Sequence, residues 1–304
     1  MSAEDDLERR RQRRAEARQR RIRRRRIVAV GVAGAAVLVV VLIVVLASGG
    51  GSKDGGTTSE PSAVQGPVAA QASPRERRAT DAVLAYTDYL RKGGDRVKDI
   101  ALTFDDGPGP DTPRILAILR RYRAPATFFV MGRSISTGGG GRTLEALGGE
   151  TYPIGDHTLS HPPLASLGET AQRNEILGLA RLLRDRGKPT PTLLRPPFGS
   201  FNAATRRIAH RAGMLMVLWT ADTKDYERPG RQRIIYTAVS AAQPGAIVLM
   251  HDGPANRSET VAALPRIIVR LRQRGYKLVT IPQMLTENPP PRGQPEPPSL
   301  SGGA

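Results

Sequence analysis

The chain has 304 residues, enough for one domain with a sizeable core, and carries 46 Lys and Arg against 28 Asp and Glu, a formal net charge of +18. It contains no cysteine, which excludes disulfides, zinc-thiolate sites and thiol nucleophiles, so a metal would have to be held by imidazole and carboxylate. Only four histidines are present, and each is therefore informative.

Residues 1–26 hold 12 arginines against 5 acidic residues, and then Ile27 to Ala47 runs for 21 residues without a charge. That length matches a helix spanning a hydrocarbon core of about 30 Å. The arginines stand immediately before it, whereas Lys53 and Asp54 are the first charges after it, so the positive-inside rule puts the N-terminus in the cytoplasm and the rest outside. The expected organisation is a cytoplasmic Arg-rich segment (1–26), a single transmembrane anchor (27–47) in the cell membrane and a flexible linker (48–74). Cleavage after Ala47, with secretion of the remainder, is the alternative. Dense arginine also suits nucleic acid, but a position against an apolar span favours topology, and no nucleic-acid partner is expected.

A helical lead-in (75–96) then precedes residues 97–287, where short apolar runs alternate with amphipathic stretches. DIALTF, ATFFVMG, TYPIG, PTLLR, MLMVLW, AIVLM and YKLVTI read as seven strands. Helical spacing occurs over Pro113 to Tyr122, Glu169 to Arg186, Asn202 to Ala212, Gln232 to Ala242 and Glu259 to Arg274. Alternation of this kind predicts a parallel sheet covered by helices, an α/β distorted barrel of about seven strands with its chemistry at the C-terminal strand ends. Residues 288–304 are rich in proline and read as a disordered tail.

Several predicted strands end in titratable groups. Leu102-Thr103-Phe104 runs into the adjacent carboxylates Asp105 and Asp106, which can divide the work of metal ligand and proton acceptor. His157 and His161 follow TYPIG at a spacing that, in one helical turn, lets both imidazoles grip a single ion. Asp106, His157 and His161 would form a two-histidine, one-carboxylate site with room for water and substrate, a composition common among hydrolytic zinc centres. Further on, Leu194-Arg195-Pro196-Pro197-Phe198-Gly199, Trp219 to Tyr226 and Ile247 to Gly253 each end a predicted strand in the same way.

Taken together, TFDDGP, HTLSHP, RPPFG, DTKDY and VLMHD, in this order over about residues 97–285, resemble the five motifs of the polysaccharide deacetylase family, the carbohydrate esterases built on the NodB homology domain. The resemblance implies a distorted barrel of seven strands. It makes Asp105 the catalytic base and Asp106, His157 and His161 the ligands of a divalent metal, most simply Zn2+, with Co2+ or another divalent ion as alternatives. Arg195 then positions Asp105, Asp225 orients the acid His251, the Phe198 amide meets the oxyanion and Leu249 lines the acetyl pocket. Tyr226 and Trp219 complete the residues expected to face substrate.

Phe198 and Tyr226 stand where relatives often carry Tyr and Trp. Ser136 to Gly141, with four consecutive glycines, reads as a remodelled loop, and His210 lies in a predicted helix as a structural residue. The implied reaction removes N-acetyl groups from a cell-wall or capsular glycan, with N-acetylglucosamine or N-acetylmuramic acid of peptidoglycan, or a chitin-like polymer, as substrate. An O-acetyl esterase and a catalytically idle wall-binding module are the alternatives.

Overall fold

A computed structural model describes residues 72–137 and 140–295. The Arg-rich segment, the predicted anchor and nearly all of the predicted linker lie outside the described residues. Within them, no helix is long and apolar enough to cross a membrane.

The predicted linker stops short of residue 74, because Ser73 caps helix α1 (Pro74–Leu84) by accepting a hydrogen bond from the Glu76 N–H. Nine strands follow among the described residues: β1 (Tyr89–Leu90), β2 (Asp99–Asp105), β3 (Thr127–Val130), β4 (Ile154–Asp156), β5 (Leu193–Leu194), β6 (Leu215–Val217), β7 (Ala221–Asp222), β8 (Ala246–His251) and β9 (Lys277–Val279). All pair in parallel in the order β1-β6-β5-β4-β3-β2-β8-β7, and β9 joins the first half of β2. The expectation of seven strands is corrected by β1 and β7. Each is two residues long, too short to show a hydrophobic period, and exists only because a neighbouring strand supplies its hydrogen bonds.

All seven residues of β2 are buried, as expected of a parallel strand covered on both faces. Ile100, Leu102 and Phe104 join the core between strands and helices, with Phe104 stacked on Phe128 at 5.2 Å. Ala101 instead joins the inner core with Phe129, Leu193, Val217 and Ile247. This two-residue alternation carries Asp105 to the inner face, and the β2–β8 register sets Asp105 level with His251. The sheet closes through the run from Leu215 to Asp222. Leu218 donates to the Leu90 carbonyl at one edge and Thr220 to the Ile247 carbonyl at the other, at 2.8 and 2.9 Å.

The five expected helices form within two residues of their predicted ends: α2 (Thr112–Arg121), α5 (Glu169–Arg184), α6 (Ala203–Arg211), α7 (Arg231–Ser240) and α8 (Ser258–Gln273). Asn202 and Thr205 fix the start of α6 by a reciprocal capping box. The expected glycine loop is flanked and partly replaced by two short helices, α3 (Gly132–Ser136) and α4 (Gly140–Leu144). A last helix, α9 (Ile281–Glu287), packs on α1.

The predicted disordered tail is corrected over residues 288–295. Asn288 is buried, and its amide donates to the Gly94 carbonyl (2.7 Å), the Val97 carbonyl (3.2 Å) and Asp99 Oδ1 (2.8 Å). Tyr86 and Tyr89 hydroxyls donate to the carbonyls of Pro290 and Gln294, each at 2.8 Å. Composition misleads here because the docking uses carbonyls and the amide side chains of Asn288 and Gln294, which give no hydrophobic signal in the sequence.

Candidate metal and catalytic centre

Asp105 ends β2 inside the barrel, 2 % exposed, and its Oδ1 accepts a hydrogen bond from Arg195 Nη1 at 2.7 Å. Arg195 follows β5 and is fully buried. Its guanidinium also donates to Thr103 Oγ1 (2.8 Å) and to the Val217 and Leu218 carbonyls (both 3.2 Å), and lies 4.0 Å from the Phe129 ring centroid. Burial lowers the Arg195 pKa from its ordinary value, while the Asp105 carboxylate opposes that fall. A guanidinium with four oxygen acceptors stays charged, so Asp105 is fixed in place with one oxygen left for other work.

Asp106 turns at φ 71°, and this left-handed step swings its side chain toward the two imidazoles. Its Oδ1 lies 3.5 Å from His157 Nε2 and 3.0 Å from His161 Nε2, and the three ligand atoms fall within 4.8 Å of one another. The expected helical turn is corrected. His157 to His161 is a loop, with Thr158 and His161 at φ 68° and 67°, and these turns, rather than helical spacing, bring the rings within 4.9 Å. His157 Nδ1 is 2.6 Å from the Arg195 carbonyl. A carbonyl can only accept, so Nδ1 carries a proton and Nε2 is the nitrogen turned toward Asp106.

These residues suit a cation. Asp106 Oδ1 is buried without a hydrogen-bond partner, an expensive arrangement unless a positive group meets it. Burial raises the Asp106 pKa, but the His157 and His161 imidazoles more than offset this and hold the carboxyl well below the usual carboxylate range. Two imidazole nitrogens and one carboxylate oxygen, with no thiolate, form a donor set matching a hydrolytic zinc site.

On the strand paired with β2, His251 ends β8, level with Asp105. Its Nδ1 is 2.7 Å from Asp225 Oδ1, while Asp225 Oδ2 accepts from the His251 N–H (2.9 Å) and Thr260 Oγ1 (2.7 Å). Burial lowers the His251 pKa, yet Asp225 reverses this and raises it above its ordinary value. Burial pushes Asp225 up and His251 more than reverses it, leaving Asp225 below its ordinary value. The carboxylate therefore favours the protonated form of His251, in which Nε2–H is available to donate.

Of the expected substrate-facing residues, Phe198 is 59 % exposed with its ring 4.7 Å from His161, and Tyr226 is 44 % exposed with its ring 5.1 Å from His251. Leu249 is buried on β8, two residues before His251. Trp219 is placed differently. It is half-buried, packs against the inner core and lies 5.8 Å from the Arg195 guanidinium, so it backs that arginine instead of joining the exposed rings. Burial and Asp222 push the Tyr226 hydroxyl up to about 12, and it donates to Asp222 Oδ2 at 3.4 Å.

Two buried carboxylates were passed over in the sequence. Asp156 Oδ1 accepts from the Thr158 N–H at 2.8 Å and so shapes the histidine loop; burial pushes its pKa well up. Asp252 Oδ2 accepts from Thr112 Oγ1 at 2.5 Å, and burial, with Asp106 and Asp105 nearby, pushes it up to about 7. A Cβ at Gly107 would lie 2.1 Å from Asp252 Oδ2, so glycine is required there for the two catalytic loops to meet. The signals were the acid directly after His251 and the glycine directly after Asp106.

Residues 92–217 match the family model described as polysaccharide deacetylase. A peptidoglycan-N-acetylglucosamine deacetylase of Bacillus cereus is 38 % identical over 62 % of this chain and 88 % of its own length. A chitooligosaccharide deacetylase of Bradyrhizobium is 33 % identical over 62 % of this chain and 90 % of its own. Among solved structures, the Bc1960 peptidoglycan N-acetylglucosamine deacetylase superposes with a TM-score of 0.64 at 29 % identity, covering 70 % of this chain and all of that one. Similar too is BA3943 of Bacillus anthracis, described as a family 4 pseudoenzyme, with a TM-score of 0.58 at 30 % identity over 64 % of this chain and 68 % of that one. On sequence, fold and the order of its motifs, the chain belongs to the polysaccharide deacetylase family.

Proposed function

We propose that this protein is a metal-dependent hydrolase that removes N-acetyl groups from an extracytoplasmic glycan, with N-acetylglucosamine or N-acetylmuramic acid units of peptidoglycan, or a chitin-like polymer, as substrate. The observation that carries the reading is the convergence, at the C-terminal strand ends, of two differently held groups: Asp105, clamped by Arg195, and His251, clamped by Asp225. Their environments are opposite, as acid and base roles require.

Asp106, His157 and His161 would hold the divalent ion, Zn2+ by donor chemistry, and when bound it would polarise an oxygen and make a nucleophilic water available near neutrality. Asp105 Oδ2, 3.8 Å from His157 Nε2 and free of Arg195, is placed to take the proton from the attacking water. Arg195 holds that carboxylate in place through Oδ1. His251 then gives its Nε2 proton to the departing amine, and Asp225 stabilises the imidazolium beforehand. Phe198 and Tyr226 flank the opening as apolar walls for a sugar ring.

Support for a glycan substrate comes from the activities named for the Bacillus and Bradyrhizobium relatives. Support for the outward placement comes from the arginine-flanked apolar run at residues 27–47. With every expected catalytic position filled, activity is favoured over an idle wall-binding module.

The test is acetate release by the metal-loaded full-length chain from N-acetylglucosamine oligomers and from an O-acetylated xylan oligomer. We expect release from the N-acetyl oligomers, loss on chelation and recovery with Zn2+ or Co2+. Release from the O-acetyl substrate alone would make it an esterase, and no release with the metal bound would make it idle. A C-terminal reporter active only outside the cytoplasm checks the topology.

A further inference from the structure

Away from the catalytic residues, α6, the segment between α1 and β1, and the docked tail enclose a groove of about 680 Å³. It shares no lining residue with the catalytic cluster. Ala203, Arg206, Arg207, His210 and Arg211 line it at the spacing of one helical face. The tail contributes Arg292, delivered by the same hydrogen bonds that dock residues 288–295. Four arginines thus face a single carboxylate, Asp88, and no lysine lines the groove.

Asp88 is already neutralised, because Arg206 grips it through Nε and Nη2, both at 2.8 Å. Arg207 reaches Glu169 at 3.1 Å across an exposed surface, where such pairs contribute little. Arg211 and Arg292 have no acidic partner among the described residues, and both are exposed together with His210. Two tyrosine rings lie beside the guanidiniums: Arg206 is 5.6 Å from the Tyr89 ring centroid and Arg292 4.9 Å from that of Tyr86. Arg292, lying over its ring, keeps its donor edge for an oxyanion.

We propose that this groove binds a phosphodiester-linked anionic polymer and so holds the enzyme against a negatively charged wall matrix. Arginine without lysine favours planar, two-point recognition of phosphate over a diffuse charge field. The Arg206–Arg207 and His210–Arg211 steps lie about 6 Å apart along the helix axis, so successive anionic groups of one chain can be met in turn. Only the source of the polymer rests on the proposed outward placement; binding in the groove and deacetylation are separable, since no residue serves both.

The experiment measures binding of a labelled poly(glycerol phosphate) oligomer to the full-length chain in neutral detergent, over a range of salt. Arg211→Glu with Arg292→Glu should weaken binding by about tenfold or more, and the neutral pair Arg211→Gln with Arg292→Gln should lower the salt slope by about two, one per phosphate contact. Acetate release from a soluble N-acetylglucosamine oligomer should be unchanged in both pairs, which also reports folding. As a control, Arg120→Glu with Arg121→Glu makes the same charge change on α2, where both residues are exposed, and should alter binding less than twofold. Equal weakening by that control would overturn the groove in favour of general charge. Equal or tighter binding of hyaluronan would overturn phosphate as the ligand, and tighter binding of a single-stranded oligonucleotide would overturn a wall polymer. Loss of acetate release with intact binding in the wild type would count against the proposed function and leave the groove standing.

Discussion

The two ends of the barrel solve the same backbone problem with different residues. Where helices return to strands, the left-handed positions are glycines: Gly213 before β6, Gly245 before β8 and Gly275 before β9, at φ 67°, 71° and 80°. Where strands run out into the catalytic loops, the left-handed positions include Asp106, Thr158, His161, Phe198, Lys224 and Arg228, alongside Gly199 and Gly230. Residues with a Cβ held there cost about 1–3 kcal/mol each. The end that only has to turn uses the residue for which turning is free, and the end that has to work keeps side chains in conformations they disfavour. Arg123 after α2, at φ 45°, is the exception at the returning end.

The largest effects fall at the working end. Asp106→Ala should empty the metal site and reduce acetate release to background, with partial recovery in excess metal. Asp105→Asn keeps shape and polarity but cannot accept the proton, so turnover should fall about 10²–10⁴-fold at unchanged metal stoichiometry. Metal content and acetate release on the same folded preparations decide both, and full activity in Asp105→Asn would remove it as the base.

Next come the acid and its carboxylate. His251→Ala should cost about 10²–10⁴ in turnover without loss of metal. Asp225→Asn should cost less and change the pH profile. Asp225 raises the His251 pKa against burial, so without it His251 loses its proton at lower pH. The alkaline limb of kcat/KM should therefore move to lower pH. An unmoved limb would show that His251 is not the acid.

Smaller effects test the turns themselves. At Gly245 an added Cβ would meet Gly93 and Gly94 backbone atoms at 2.6 Å, on a residue already at φ 71°. Gly245→Ala should lower stability by more than about 1 kcal/mol, read as a drop in Tm, with catalysis intact below the transition. The opposite sign is expected at Phe198, which is largely exposed at φ 60°. Phe198→Gly should leave Tm unchanged or higher while acetate release falls severalfold. If it destabilises as Gly245→Ala does, the two ends do not differ in the way argued.

Much of the working end was legible because its residues are rare and adjacent. With four histidines in the chain, a pair at His157 and His161 behind an apolar run stands out, as does Asp105-Asp106 at a strand end. The long amphipathic helices were legible because burial imposes a repeat on them. What escaped notice depends on partners distant in sequence. The two-residue strands β1 and β7 exist through Met216 and Val248. The loop form of the histidine motif depends on positive φ at Thr158 and His161, residues that do not advertise it as glycine would. Asn288 carries no hydrophobic signal, and its three acceptors lie about 190 residues earlier. Trp219 stands in a motif but packs behind it, a distinction that spacing does not encode.

Arg195 belongs to both descriptions at once. Its Nη1 holds Asp105, while Nε and Nη2 hold the Val217 and Leu218 carbonyls, at the start of the run that bridges the two edges of the sheet. One side chain therefore rivets the seam of the barrel and aims its chemistry. A lineage of this protein cannot drift at position 195 by losing activity alone, since any replacement leaves buried carbonyls without donors as well as an uncompensated carboxylate. Silencing is cheaper at His251 or Asp106, whose side chains hold no such seam, and those are the positions where decay of the catalytic function would leave the barrel standing.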